Sequence, residues 1–94
     1  MSQDNNIEVR IPDQLRAGVF ANNTVISHTK EEFVIDFMMV APPVGTVASR
    51  VIVTPGHIKR IFAALKDNIN KYEKTHGKIE MGPAPKPKVG FHPE

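Results

Sequence analysis

The segment from Phe33 to Val40 constrains the fold most, because it is apolar at both even and odd positions and has Asp36 as its one charge. A run of this length, rich in β-branched and aromatic residues, predicts a β-strand, which we place at residues 32–41. A strand with one face on a core and the other in water should alternate apolar and polar residues. Since this segment does not alternate, we expect both faces to be covered, the second by a partner.

Two other segments predict strands before and after this run. Residues 19–27 are rich in Val, Ile and Phe. In residues 46–53, every second position from Val47 to Val53 shares one face, and three of these four residues are valine. Polar residues 28–31 suit a hairpin loop, whereas residues 42–45, which begin with two prolines, predict a wide loop. A short alternation at residues 7–11 predicts one more strand at the start. The pattern therefore indicates an antiparallel β-meander of three strands, with four as the alternative.

A long amphipathic helix is predicted at residues 55–76. Thr54 is a good N-cap, Pro55 suits the first helical position, and Gly77 is predicted to end the helix as a left-handed C-cap. Apolar residues recur at spacings of three and four along one side, which is typical of an amphipathic helix: Ile58, Ile61, Phe62, Leu65, Ile69 and Tyr72. The fold class expected is α+β, with the helix closing the meander and its far end extending beyond the strands toward a partner.

The domain organisation follows from length and composition. The 94 residues allow one domain, which we place at residues 7–80, between a disordered N-terminus at 1–6 and a flexible tail rich in Pro and Lys at 81–94. Residues 1–47 hold three basic and six acidic groups, a net charge of −3, and residues 48–94 hold nine basic and four acidic groups, a net charge of +5. This asymmetry suits packing of the two halves against each other or against a second copy.

Location and oligomeric state are predicted from the same composition. The chain has no cysteine, so disulfides cannot reinforce so small a core, and self-association is the remaining common device. No segment reaches the roughly 20 apolar residues of a membrane span, and the N-terminus lacks the pattern of a secretory signal. We therefore expect a cytoplasmic homodimer that does not bind a membrane.

Several short motifs occur in one order along residues 18–80. They are Phe20-Ala21-Asn22, Ser27-His28-Thr29, the run from Glu32 to Phe37, Ser49-Arg50-Val51-Ile52, the run from Pro55 to Arg60, Ala64-Leu65, Asn68, Tyr72-Glu73 and Gly77. In this combination the chain resembles a family of small bacterial proteins known as the domain of unknown function number 3467. Phe20 stands where the resemblance leads us to expect Tyr. The resemblance implies a shared fold and a bacterial source, and it brings no activity, cofactor or catalytic residue.

Two positions are candidates for chemistry. His57, with Thr54 and Gly56, lies where the free N–H groups and dipole of the helix N-terminus favour a small anion, although a surface residue beside an ordinary helix start is the favoured interpretation. Asp36 lies within an apolar strand, and a buried acid needs a partner. Arg50 on the neighbouring predicted strand is that partner, so we expect a structural ion pair that sets strand register.

Other functional classes have little support in the sequence. His28, His57, His76 and His92 have none of the short spacings of a metal site, and no nucleophile elbow or glycine-rich phosphate loop is present. We therefore predict no enzyme, no metal and no cofactor. The function expected is a small non-catalytic interaction or assembly module. The first alternative is a nucleic-acid-binding dimer using the tail and the basic residues of the helix, which are Lys59, Arg60, Lys66, Lys71 and Lys74.

Overall fold

The computed structural model describes residues 6–83, and these form one antiparallel sheet followed by one helix. The elements are β1 (Asn23–His28), β2 (Phe33–Ala41), β3 (Val44–Val53) and α1 (Pro55–His76). The strand order is β1-β2-β3, so the apolar strand β2 lies in the centre. The predicted α+β class is confirmed. Residues 1–5 and 84–94 lie outside the described residues. They make up nearly all of the predicted disordered N-terminus, 1–6, and most of the predicted flexible tail, 81–94.

The chain before the sheet differs from the prediction. Residues 7–11 are exposed and form no strand, so the alternative with four strands is wrong for the described part of the chain. The first strand begins four residues later than predicted, and Val19 and Phe20 lie exposed before it. A single 3-10 turn, Asp13–Leu15, is the regular structure that precedes it. The reason is pairing: alternation alone does not form a strand where no neighbour offers backbone partners.

The two hairpin connections are both short. Thr29 organises the first, because its hydroxyl accepts hydrogen bonds from the N–H groups of Glu31 and Glu32 at 3.1 and 3.3 Å. The second is a two-residue turn, Pro42-Pro43, with a cis peptide bond between the prolines. The predicted wide loop is therefore wrong. Both prolines lie within the turn itself, where no ladder donor is needed, and pairing resumes at once.

The register defines two faces of the sheet. Ile26, Ile35 and Val51 are directly paired and share what we call the Ile35 face, whereas Val25, Asp36 and Arg50 form the next row, on the opposite Asp36 face. The register shifts where Ser49 and Val47 pair with consecutive residues of β2, which makes Ala48 a bulge in β3.

The interior of the described chain is small. Its buried residues are Ile35, Asp36 and Met38, all on the central strand, and they come from both faces. Strands β1 and β3 are half-buried or exposed along their length. A single sheet of three strands cannot enclose both of its own faces, so the doubly apolar strand β2 remains only partly covered.

The helix has the predicted limits. Thr54 is the N-cap, and its hydroxyl accepts a hydrogen bond from the N–H of His57 at 3.2 Å. Gly77 ends the helix with φ of 92° and ψ of 172°, a region that is almost exclusive to glycine but is not the predicted left-handed helical conformation. No residue of α1 is buried. Ile58 and Ile61 in its first turns are half-buried, and the apolar residues beyond them are exposed. The helix therefore closes the meander far less completely than expected.

Candidate interaction surface

The apolar side of α1 is exposed along most of its length. We call it the helix stripe, and it consists of Ile58, Ile61, Phe62, Leu65, Ile69 and Tyr72. The first two are half-buried, and the last four are exposed, with Phe62 at 66%, Leu65 at 57% and Tyr72 at 52%. A shallow apolar hollow runs along this side, lined by Phe62, Leu65, Lys66, Ile69 and Asn70. Contiguous apolar surface rimmed by polar residues marks an interaction site.

The sheet adds a second set of exposed apolar side chains. Ile26 and Val51 flank the buried Ile35 on the Ile35 face, and they are 58% and 40% exposed. Ile52 and Val47 are exposed on the Asp36 face. Neither face is closed by the described residues. The exposed side chains of sheet and helix together outnumber those that the small interior buries.

Asp36 and Arg50 meet on the Asp36 face. They are directly paired in register, and the guanidinium donates two hydrogen bonds to the carboxylate, Nε to Oδ1 at 2.6 Å and Nη2 to Oδ2 at 3.0 Å. The Asp36 side chain is only 2% exposed, and that of Arg50 is 55% exposed. The hydrogen bonds from Arg50, together with its charge, lower the pKa of Asp36 although burial opposes this, and the pKa of Arg50 is raised by the same contact.

This geometry suits a structural pair. A fork of two parallel hydrogen bonds fixes both side chains and uses both carboxylate oxygens. Among the described residues no buried side-chain polar atom lacks a hydrogen-bond partner. Asp36 is held in its charged form with its oxygens engaged, so it is poorly placed to accept a proton from a substrate.

His57 lies at the first turn of α1, where the anion site was predicted. Its Nδ1 lies 3.0 Å from Nη2 of Arg60, and because a guanidinium only donates, this contact requires Nδ1 to accept. Thr54 meanwhile engages two backbone donors, the N–H of His57 through its hydroxyl and that of Ile58 through its carbonyl. With Pro55 lacking an N–H, Gly56 is left as the free donor of the first turn. A single backbone donor is a weak anion site compared with the several that such sites employ.

The predicted nucleic-acid residues are spread around the polar side of α1. At 3.6 residues per turn, Arg60, Lys71 and Lys74 lie opposite the helix stripe, whereas Lys59 and Lys66 flank it. Lys71 pairs with Asp67 at 3.1 Å. The five groups therefore do not form one compact patch.

Asn22 is a structural residue that our sequence reasoning did not single out. Its side-chain amide pairs with both backbone groups of Val40: the N–H of Val40 donates to Oδ1 at 2.8 Å, and Nδ2 donates to the carbonyl at 3.1 Å. The backbone N–H of Asn22 also donates to the carbonyl of Met38 at 2.9 Å. The side chain thus prolongs the ladder beyond the start of β1. The available signal was the Phe20-Ala21-Asn22 motif itself, which precedes the strand.

Residues 6–83 offer neither a cluster of metal ligands nor a membrane-spanning helix. No cluster of three or more His, Cys, Asp or Glu side chains that could hold a metal ion occurs there, and His92 lies outside this range. Within the same range, α1 lacks an apolar stretch long enough to cross a bilayer.

Comparison with known proteins agrees with the resemblance seen in the sequence. No curated protein and no solved structure matches the chain significantly. A family model described as "Protein of unknown function (DUF3467)" matches residues 1–81, which include every strand and the whole helix. The chain therefore belongs to the DUF3467 family of proteins of unknown function.

Proposed function

We propose that the protein is a non-catalytic interaction module that acts as a homodimer in the bacterial cytoplasm. The observation that carries the proposal is the exposed helix stripe. Phe62, Leu65, Ile69 and Tyr72 lie exposed on one side of a well-capped helix. In proteins, most of the stability of a helix comes from packing of its apolar side against other elements. A second chain supplies that packing.

The exposed area is of the size that a dimer needs. With about 150–250 Å² per aromatic side chain, the exposed parts of Phe62 and Tyr72 leave roughly 200 Å² uncovered in each protomer. The exposed aliphatic side chains of the helix and the sheet add a comparable area. Burial of these surfaces in both protomers, with their polar rim, reaches the roughly 1,000 Å² above which an interface is stable and specific.

Charge distribution supports a second copy as the partner. The first half of the sequence is acidic and the second half, which contains α1, is basic. In a two-fold dimer the acidic half of each chain can meet the basic half of the other, which favours association and disfavours a contact between the two basic helices alone. The proposed contact therefore sets the helix stripe of each protomer against the strands of its partner as well as against the other helix.

Sedimentation equilibrium of the wild type and two lysine variants tests the proposal. Leu65→Lys places a charge in the helix stripe, whereas Ala63→Lys adds the same charge at an exposed position on the polar side of α1. We expect a dimer for the wild type and for Ala63→Lys, and a monomer for Leu65→Lys at micromolar concentration. A monomeric wild type, or equal masses for the two variants, would contradict the proposal.

Nucleic-acid binding is the second candidate function. Among the described residues, Lys59, Lys66 and Lys74 form no ion pair, so their ammonium groups are available to phosphates. The strands offer less support, because Arg50 is engaged by Asp36 and no ring of β2 is fully exposed for base stacking.

A further inference from the structure

The outer edge of β3 is a second unpartnered feature, distinct from the helix stripe. β3 is the longest strand, with ten residues from Val44 to Val53, and it is hydrogen-bonded to β2 on one side only. Nearly all of its residues are exposed. Every second residue along the other side therefore presents a backbone N–H and C=O without a strand to pair with, and such an edge is a template for another chain.

The other edge of the sheet is different in kind. β1 has only six residues, and its sequence, NTVISH, is largely polar. Natural sheets protect their edges with short strands, prolines, lysines and inward charges. β3 contains no Pro and no Lys, and its exposed apolar residues include Val44, Val47, Val51 and Ile52. On β3 the one such feature is the bulge at Ala48, which leaves residues 49–53 as the stretch suited to pairing.

We propose that β3 pairs antiparallel with β3 of a second copy across a two-fold axis, joining two three-stranded sheets into one continuous sheet of six strands. This inference rests on the proposed homodimer and specifies its seam. A two-fold axis brings a strand edge against itself in antiparallel orientation, so the same donors and acceptors serve both chains. Backbone pairing of this kind is a recurrent mode of protein association.

The one charge on β3 does not oppose this pairing. A free arginine near the axis would meet its own copy, and like charges directly opposite destabilise a strand pair. Here the Arg50 guanidinium is held by the Asp36 carboxylate through two hydrogen bonds within the same protomer. The ion pair therefore neutralises the charge of Arg50 at this edge and leaves the backbone of β3 accessible.

The seam lies close in sequence to the start of α1. Only Thr54 separates the end of β3 from the first residue of α1, so the helix leaves the sheet at this edge. A partner sheet joined at β3 is therefore brought close to the start of α1, whose helix stripe is largely exposed. The bulge at Ala48 bends the strand, so we place the paired stretch at residues 49–53, where the register with β2 is regular.

Two matched lysine variants separate this seam from its alternatives. Val51 and Ile26 flank Ile35 on the same face, one on each edge strand. Val51→Lys is expected to raise the dimer dissociation constant about tenfold or more, since edge lysines block strand pairing, whereas Ile26→Lys leaves it nearly unchanged. Circular dichroism confirms that both variants fold. Equal weakening by both would assign the contact to the Ile35 face, and weakening by Ile26→Lys alone would assign it to β1; either result overturns the proposal.

Hydrogen exchange on the wild type gives an independent measurement. In a β3–β3 pair all amides of residues 49–53 are protected, whereas a free edge protects only the alternate amides that bond to β2. Because the chain has no cysteine, single-cysteine variants along the same stretch add a second readout. Oxidation should cross-link one position near the axis efficiently, with yields falling on both sides.

Failure of the seam is distinguishable from failure of the dimer. A dimeric wild type with unprotected alternate amides and no cross-linking maximum along β3 would reject the strand pairing and leave the homodimer intact. A wild type that is monomeric by mass would reject both.

Discussion

The guanidinium of Arg50 on β3 donates two hydrogen bonds, at 2.6 and 3.0 Å, to the carboxylate of Asp36, the residue directly paired with it on β2. The Asp36 side chain is almost fully buried, whereas the Arg50 side chain is about half-exposed. It anchors the edge strand to the centre of the sheet in the regular part of the register. Its consequences for stability can be measured directly.

Substitution of Asp36→Asn should destabilise the protein markedly. The amide cannot match the fork of the guanidinium, and Arg50 loses its charged partner. The control is Asp67→Asn, which breaks an exposed ion pair with Lys71 and should change the free energy of unfolding by less than about 0.5 kcal/mol. Urea denaturation compares the two variants. Similar midpoints for both would show that the buried pair contributes no more than a surface pair.

Stability should fall in acid because of the same pair. The pKa of Asp36 is lower in the folded chain than its ordinary value of 3.8, so the unfolded state takes up a proton first. The stabilisation is then complete above the ordinary pKa and is lost as the pH falls through the folded value. We expect a denaturation midpoint that decreases below about pH 4. In Asp36→Asn the denaturation midpoint should decrease less steeply as the pH falls. An unchanged dependence on pH would assign the acid sensitivity to other carboxylates.

Asn22→Ala should shorten the ladder between β1 and β2. The substitution removes two hydrogen bonds to the backbone of Val40, each worth about 0.5–1.5 kcal/mol, so a loss of about 1–2 kcal/mol is expected. Hydrogen exchange should show faster exchange at the amide of Val40. Asn22→Asp keeps the acceptor and should retain that protection in part; equal exchange in both variants would argue against the side-chain pairing.

Thermal stability should depend on protein concentration. A folded state that associates gains stability with concentration by mass action, whereas a self-sufficient monomer does not. The melting temperature of the wild type should therefore rise as concentration increases. In Leu65→Lys, which charges the helix stripe, the dependence should vanish. A wild-type melting temperature that is constant over a hundredfold range of concentration would speak against the dimer.

Nucleic-acid binding should be weak and confined to low salt. The basic groups of α1 lie on two sides of the helix, so few of them reach one phosphate backbone at a time. Fluorescence anisotropy with labelled single- and double-stranded oligonucleotides measures this. Tight binding at physiological salt that is lost in a Lys59→Gln, Lys66→Gln, Lys74→Gln triple variant would instead favour the second candidate function.

Local sequence determined the elements of this protein. The limits of α1 follow from Thr54, Pro55 and Gly77, whose backbone preferences act within one turn of the chain. The pairing of Asp36 with Arg50 was foreseeable because a charge within an apolar strand needs a partner on the next strand. Family membership likewise followed from short motifs in a fixed order.

Tertiary structure alone decided which surfaces remain open. Residues 7–11 alternate as a strand should, yet they find no neighbour, and the two prolines form a tight turn because pairing resumes on both sides of it. The helix stripe has the periodicity of a buried helix, but periodicity states only that a side is apolar and not which surface covers it. Burial depends on where the sheet ends, and in this chain the helix leaves from an edge strand with its apolar side uncovered.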